Sequence, residues 1–438
     1  MSPARQTATR YLMGTACAGL FTFGIMTSFL GATLPELSAR LGFDLARSGT
    51  LFSFLYIPQI PMVFLAGPLI DRFGKKPVLV AGFLLSAAAL VGMAYAPNYS
   101  ALGVLLVALG LGGSSAMSAS NTLIPDLYPE NPSSAFNLAN IFFGVGAVFF
   151  PWVVTLLTAR LGLPATLWMI ATLVAAVAFI GFVETFPPAS AAGGFDWGEA
   201  RRMALDPAVI LLAWVLFFYS ALEISTAGWI RTYLEKDFQA SAQSSKIILT
   251  SFWVAMMLGR LAASQVVKRL RGPSLVLGAS LGATVGLVIM ALAPSVAVAT
   301  AGIIICGLSF APVFPTTAGT ASTYFSKLFG TVFGILMTLA LLSGAVVPPA
   351  VGYVAQHTTV RTSLWLLAAI AVLLLVTQAI FNRGGRRPPL RKGQRYFPAS
   401  SSSRTFFRTY AARSTPTSPE RIGSSFSMLK MPWKPTSM

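Results

Sequence analysis

Residues 67–76 read Gly67-Pro68-Leu69-Ile70-Asp71-Arg72-Phe73-Gly74-Lys75-Lys76. The stretch joins two long apolar segments and places one acid and three cations within its last six positions. Small residues at Gly67 and Gly74 permit close helix approach and a tight turn. Asp71 is placed to reach the positive N-terminal end of a neighbouring helix, and the cations suit an anionic headgroup region. The stretch therefore predicts a short loop between two membrane helices.

The composition of the whole chain agrees with a membrane protein. Of 438 residues, 55% are hydrophobic and only 10% are charged, whereas ordinary soluble domains carry about 25% charged residues. A large soluble enzyme is excluded on this basis. The net charge of +18 is no mark of nucleic-acid binding, because 12 Lys and Arg against one acid lie from Arg383 onward. We expect no nucleic-acid partner.

Apolar segments long enough to cross about 30 Å of hydrocarbon recur twelve times along the chain. The predicted spans are 11–34, 48–70, 77–96, 99–123, 135–159, 163–186, 207–230, 246–267, 274–293, 295–318, 328–354 and 361–382. The fold class is therefore an all-α integral membrane protein with two six-helix bundles, 11–186 and 207–382. We expect a cytoplasmic N-terminus at 1–10, a cytoplasmic linker at 187–206, and a basic, disordered cytoplasmic tail at 383–438.

The distribution of cations predicts the orientation. Outside the tail, 12 Lys and Arg, Arg260 among them, fall on the side that carries residues 71–76, and seven fall on the other side. Positive charge collects in cytoplasmic loops, so both termini are expected in the cytoplasm and the chain in the cell membrane. Asp126 and Glu130 stand on the same side, in a loop without Lys or Arg.

An internal repeat relates the two bundles. A shift of 197 positions superimposes matching residues from the third span through the sixth without a gap. The coinciding pairs include Pro97 with Pro294, Phe136 with Phe333, Pro151 with Pro348, and Trp168 with Trp365. Six spans repeated in one orientation predict two parallel halves related by an axis along the membrane normal.

The decapeptide resembles the signature loop of the major facilitator superfamily, G-x-L-x-D-R-x-G-R/K-K/R, and it stands between the second and third spans as in that family. The resemblance covers about residues 10–382. It implies a conformational gate formed by Gly67, Asp71, Arg72, Gly74, Lys75 and Lys76. In the family, the matching aspartate supports cytoplasmic closure near the start of the eleventh span. An ordinary positively charged cytoplasmic loop is the alternative.

A narrower resemblance lies in residues 137–147, in Tyr219 to Glu223, and in Phe252-Trp253 with Leu258-Gly259-Arg260. These segments are similar to the fucose–galactose–proton symporter branch and its sodium-dependent glucose transporter relatives. In the fucose permease, acids in the first and fourth helices are functional. Here Met117 takes the fourth-span position, and the first span has no acid at mid-membrane. Proton coupling is therefore not carried over from those positions.

Glu223 is the acid that lies deep in a predicted span, about two thirds along the seventh. An ionisable residue at that depth is costly unless it faces a cavity or has a partner, which makes ion coupling the default interpretation. A structural carboxyl paired with Arg260 is the alternative. Arg260 is either a gate partner or a cation that reaches the membrane surface as an anchor.

Amides and aromatic rings predict the solute site. Asn137 and Asn140 are spaced i, i+3 and share one helical face; with Asn121 and Gln59 they suit a polyhydroxylated solute. Hydrogen bonding between helices explains such amides equally well. Tyr219 and Trp229 are predicted to stack on a sugar ring, although Trp229 also suits an interface anchor.

These features favour a secondary transporter that works by alternating access, with a sugar or polyol as its solute and H⁺ or Na⁺ as its coupling ion. A drug or metabolite exporter is the alternative, and an apolar, Met- and Phe-lined cavity would favour it. A membrane enzyme or sensor is the alternative of another class. The single histidine, His357, offers no metal cluster or triad. We expect no cofactor, no metal, no enzyme activity, and a monomer whose partners are the lipid bilayer and a small-molecule substrate.

Overall fold

The computed structural model describes residues 3–43, 45–189 and 197–384, without the side chains of residues 3–6, 35 and 45–49. Within these ranges all regular secondary structure is helical. Twelve of its segments are long and apolar enough to cross a membrane by length and composition. The predicted all-helical, twelve-span fold class is therefore confirmed. Of the tail predicted as disordered, residues 385–438 lie outside the described residues, and the last helix extends through residues 383 and 384. Residues 190–196 of the linker also lie outside the described residues.

The first six spans are the helices Pro3–Leu41, Leu45–Tyr56 with Gln59–Phe73, Lys75–Ala94, Tyr99–Leu127, Pro132–Leu161 and Leu163–Val183. The last six are Pro207–Asp237, Ala242–Val266, Gly272–Leu292, Val296–Phe310 with Val313–Tyr324, Phe329–His357 and Val360–Gly384. A short helix, Trp197–Ala204, precedes the seventh span, and a 3-10 turn, Ser326–Leu328, precedes the eleventh.

Local chemistry explains where several helices begin and end. Gly74 alone separates the second span from the third, and its φ of +91° is a conformation that favours glycine. Asn98 begins the fourth span by accepting a hydrogen bond from the Ala101 backbone N–H at 2.9 Å. The second span is interrupted at Pro58, whose ring nitrogen has no hydrogen to donate. The eleventh span continues through Pro348 and Pro349.

The helices of the two halves pair in the same way. In the first half, the first span packs on the fifth, and the third packs on the fourth and sixth. In the second half, the seventh span packs on the eleventh, and the ninth packs on the tenth and twelfth. Each of these pairs maps onto its counterpart when six is added to the span number, which agrees with the 197-residue repeat.

Two equivalent sets of contacts join the halves. The second span packs on the eleventh, and the fifth packs on the eighth and tenth. Because consecutive spans run in opposite directions, one end of the bundle carries the Gly74 turn and the start of the eleventh span. We call this end the motif face and the other end the opposite face.

Candidate functional site

Asp71 joins the second span to the N-terminus of the helix that begins at Phe329. Its Oδ1 accepts a hydrogen bond from the Gly330 backbone N–H at 3.1 Å. Its Oδ2 accepts from the Thr331 N–H and from the Thr331 hydroxyl, both at 2.7 Å. Unpaired N–H groups and the helix dipole make such a terminus favourable for a carboxylate. Asp71 thus closes the motif face at a point where the two halves meet.

Gly67 lets the same two spans approach to backbone contact. A Cβ added at Gly67 would lie 2.4 Å from the carbonyl oxygen of Gly330. Even an alanine would therefore push the second and eleventh spans apart. Gly67 and Asp71 stand four residues apart on one helix face and serve the same contact.

The cations of the motif act within the first half. Lys75 is buried, and its Nζ lies 2.7 Å from Oδ2 of Asp126 in the fourth span. Lys76 donates to the backbone carbonyl of Glu184 at 2.9 Å, beyond the sixth span. Arg72 is exposed and lies over the ring of Phe73. Asp126, predicted in a loop, lies in the last turn of the fourth span, and its pair with Lys75 explains an acid where no Lys or Arg is close in sequence.

A second contact between the halves was not predicted from the sequence. The Ser134 hydroxyl in the fifth span donates to the Ser264 carbonyl of the eighth span at 2.7 Å. The Ser133 hydroxyl donates to the Thr316 carbonyl of the tenth span at 3.3 Å. A Cβ added at Gly319 would lie 2.4 Å from Cα of Ser133. Ser133 and Ser134 are small, uncharged and not aromatic, so no sequence pattern indicated them as contact residues.

Asn137 belongs to this second contact. Its Nδ2 donates to the Thr316 hydroxyl at 3.0 Å, and the residue is fully buried. It does not line the central cavity, in which the sequence predicted it to bind solute. Asn140, one turn further along, does line that cavity.

The central cavity lies between the halves and has a volume of about 1010 Å³. The first, second, fourth and fifth spans form one wall, and the seventh, eighth, tenth and eleventh form the other. The Asp71 and Ser133 contacts lie between this cavity and the motif face. The cavity therefore occupies the middle of the bundle and its half toward the opposite face.

Arg260 extends from the eighth span into the cavity and reaches across to the fifth. Its Nη1 donates to the Asn140 carbonyl at 2.8 Å, and its Nη2 contacts Sδ of Met256 at 3.5 Å. Only 3% of the residue is exposed. This burial contradicts the alternative in which Arg260 is an anchor at the membrane surface. It also removes Arg260 from the set of cations that mark the motif face.

Glu223 lies beside Arg260 on the wall that the second half contributes. Its Oε1 lies 3.8 Å from Nη2 of Arg260, beyond the range of a hydrogen bond. Tyr219, one turn earlier on the seventh span, is buried and lies close to both charged groups. Glu223 and Arg260 are the only charged groups among the described residues that line the cavity.

Three amides line the cavity, and each donates one of its two N–H groups to a carbonyl of its own helix. Asn121 donates to the Met117 carbonyl at 3.1 Å, and Asn140 to that of Phe136 at 2.9 Å. Gln59 donates in the same way at 3.1 Å. The buried Oδ1 of Asn121 has no hydrogen-bond partner within the described part of the chain. Each amide therefore keeps a second N–H donor beyond these bonds.

Aromatic and aliphatic side chains form most of the cavity wall. The apolar members with the largest side chains are Phe23, Phe143, Phe149, Trp152, Trp253, Phe314, Met117 and Met337. Trp229 is absent from the described lining and instead borders a second cavity of about 560 Å³, with Lys236 and Tyr353. An apolar, Met- and Phe-lined cavity is the feature that was expected to favour a drug or metabolite exporter. Its members were not identified from the sequence, because aromatic residues occur throughout the spans.

Twelve spans in two similarly paired halves around a central cavity define a membrane transport protein rather than an enzyme. The sequence profile described as the Major Facilitator Superfamily matches residues 16–345 and, in a second alignment, residues 212–427. The chain therefore belongs to the Major Facilitator Superfamily and is a multi-pass membrane transporter.

Relatives and solved structures agree with this assignment. The chain is 23% identical to a protein TsgA homolog of Buchnera aphidicola over 246 residues, 56% of this chain and 63% of that relative. It is 36% identical to the 4-hydroxybenzoate transporter PcaK of Pseudomonas putida over 115 residues, 26% of each protein. The crystal structure of FucP in the outward conformation covers 84% of this chain and 98% of its own, with a TM-score of 0.73 and 18% identity. That likeness establishes the fold.

Proposed function

We propose that the protein is a secondary active transporter that moves a small organic solute by alternating access. The central cavity is the main support for this proposal, since the Asp71 and Ser133 contacts between the halves both lie on one side of it. Separation of the Asp71 and Ser133 contacts would open the cavity to the motif face. Rocking of two similar halves about a central site is the general mechanism of transporters built from repeats.

The orientation supports a cavity that faces the outside of the cell. The excess of Lys and Arg on the motif face favours a cytoplasmic position for that face. Both chain termini are then cytoplasmic, and the cavity lies toward the exterior in the cell membrane. In an importer this arrangement is the solute-loading state; in a drug or metabolite exporter, which the Met- and Phe-lined wall also suits, it is the solute-releasing state.

Glu223 is the proposed coupling residue. At 3.8 Å from Arg260, a unit charge pair interacts by about 4 kcal/mol at an effective dielectric constant of about 20. A proton on Glu223 removes this attraction and frees Arg260, which also bonds to the other half through Asn140. Protonation would thereby link ion binding to the contact between the halves.

The cavity lining supports an amphipathic metabolite more than a sugar. A sugar needs several donors and acceptors, but each amide already uses one of its two N–H groups within its own helix. The apolar wall instead suits a solute with a hydrophobic body and one polar end. The 4-hydroxybenzoate named for one relative is of this kind.

A sugar or polyol is the second candidate solute. The amide side chains of Gln59, Asn121 and Asn140 and the rings of Tyr56 and Trp253 line the cavity and could hold a hydroxylated ring. The structural neighbour FucP is named a fucose:proton symporter. The two candidate solutes differ in their polar groups: a sugar needs several donors and acceptors from the cavity, whereas an amphipathic metabolite presents one polar end.

Uptake into liposomes tests the proposed function. Purified protein would be reconstituted and offered sugars, polyols and organic acids, with and without imposed H⁺ and Na⁺ gradients. We expect one solute class to accumulate above its external concentration under one gradient and to equilibrate without it. If no gradient drives accumulation of any solute in active, exchange-competent liposomes, the coupled mechanism is wrong.

A further inference from the structure

We infer that the central cavity binds an organic anion, with a carboxylate on Arg260 and a flat apolar body along the aromatic wall. This inference rests on the proposed transport function and names the solute class. Three features carry it: the incomplete bonding of Arg260, the loose position of Glu223, and the shape of the apolar wall.

The Arg260 guanidinium is buried with incomplete hydrogen bonding. One N–H of Nη1 is bound to the Asn140 carbonyl, whereas Nη2 meets the sulfur of Met256, a weak acceptor. The buried Nε has no partner among the described residues. Buried polar groups are normally satisfied, and the edge formed by Nε and Nη2 matches the two oxygens of a carboxylate.

Glu223 does not complete that bonding. Its Oε1 stays 3.8 Å from Nη2, and its side chain is 17% exposed, against 4% for Arg260. Arg260 is held by the fifth span through Asn140, whereas Glu223 has Tyr219 of its own helix as its other polar neighbour. An incoming carboxylate would replace Glu223 at the guanidinium. A cationic solute, in contrast, would be repelled by the positive charge of Arg260, which lies beside Glu223.

The apolar wall suits a flat body. The Phe23 and Phe143 rings stack across the first and fifth spans, with centroids 5.9 Å apart and planes 28° apart. Trp253 and Phe314 line the wall contributed by the second half. Offset stacking and edge contacts with aromatic rings favour a planar solute over a compact hydrophilic one.

Calorimetric binding to the purified full-length protein in detergent tests the inference. The probes are 3-phenylpropionate and its neutral isostere 3-phenylpropanamide, with glucose as the sugar probe. We expect the acid to bind at least about tenfold more tightly than the amide, because only the acid pairs with a guanidinium. Glucose is expected to compete poorly with the acid.

Two variants test whether Arg260 and Glu223 cause the difference in binding between the acid and the amide. Arg260→Lys should weaken binding of the acid by about tenfold or more, because lysine lacks the bidentate edge, and should leave amide binding nearly unchanged. Glu223→Gln should strengthen binding of the acid severalfold, because the competing carboxylate is removed. Arg231→Gln, at an exposed pair with Glu235, is the matched control and should change neither.

Equal binding of acid and amide to the native protein would overturn the inference, as would weaker binding of the acid to Glu223→Gln. Absence of binding by the acid together with measurable glucose binding would assign the cavity to a sugar. These outcomes are measured on the native protein and on Glu223→Gln, so they decide the inference even if Arg260→Lys does not fold. Gradient-driven accumulation of a neutral solute would preserve the proposed transport function while the anion assignment fails.

Discussion

Oδ2 of Asp71 accepts two hydrogen bonds from Thr331, one from its N–H and one from its hydroxyl, across 260 positions of sequence. Asp71 is 1% exposed, so this contact is made in a site that water hardly reaches. The contact also uses the N-terminus of the eleventh span, which has free N–H groups. It ties one half of the transporter to the other at the motif face.

Asp71→Asn is predicted to open the motif face. An amide retains one acceptor but loses the charge, and hydrogen bonds to charged groups contribute about 2 kcal/mol. A cysteine placed at Ser134, inside the second contact, should then react faster with a water-soluble maleimide. Both native cysteines, Cys17 and Cys306, are buried, so their background labelling should be small.

Asp126→Asn is the matched control for that experiment. Asp126 lies on the same face but pairs with Lys75 within the first half. Its loss should leave the labelling rate of the Ser134 cysteine unchanged. Equal labelling of native protein and Asp71→Asn would contradict a closing role for Asp71.

Alanine at Gly67 or Gly319 is predicted to have the same effect as Asp71→Asn. Each added Cβ would meet backbone atoms of the other half at 2.4 Å, which the packed spans can relieve only by separating. Both variants should label faster at the Ser134 cysteine. Gly278→Ala, where a Cβ has open space, should label at the native rate. A native rate in both test variants would show that the two contacts do not limit access.

Glu223→Gln is predicted to uncouple transport. A glutamine cannot load a proton or bind a cation by charge, so the accumulation ratio under an ion gradient should fall to about one. Exchange of solute across the membrane without a gradient should persist. Glu235→Gln, an acid near the end of the same span, serves as the control. Concentrative uptake by Glu223→Gln at the native level would remove Glu223 from the coupling mechanism.

Asn121→Ala and Asn137→Ala are predicted to change two different properties, solute binding and access from the motif face. Asn121 lines the cavity, so its loss should weaken solute binding, by about tenfold if one hydrogen bond of about 1.4 kcal/mol is lost. Asn137 bonds to Thr316 between the halves, so its loss should raise labelling at the Ser134 cysteine. Solute binding and labelling measured on both variants would separate the two roles. Identical effects of the two changes would contradict their placement in different sites.

The motif and the span pattern determined much of the fold in advance. Apolar length is a local property, so twelve spans can be predicted from the sequence without tertiary information. The 197-residue repeat likewise anticipated the equal pairing of helices in the two halves. The position of Asp71 before a tight glycine turn predicted a contact with a neighbouring helix terminus, and Gly330 and Thr331 provide it.

The direction of each side chain inside the bundle depended on tertiary structure. Asn137 and Asn140 are three residues apart, yet one lies in the Thr316 contact and the other lines the cavity. The sequence predicted Arg260 among the cations of the motif face, but the residue is buried beside Glu223. Spans that are apolar on every side have no polar stripe to indicate which face meets the cavity. Chain length and hydrophobicity therefore determined the number and order of the helices, while the packing between the halves decided which residues form the site.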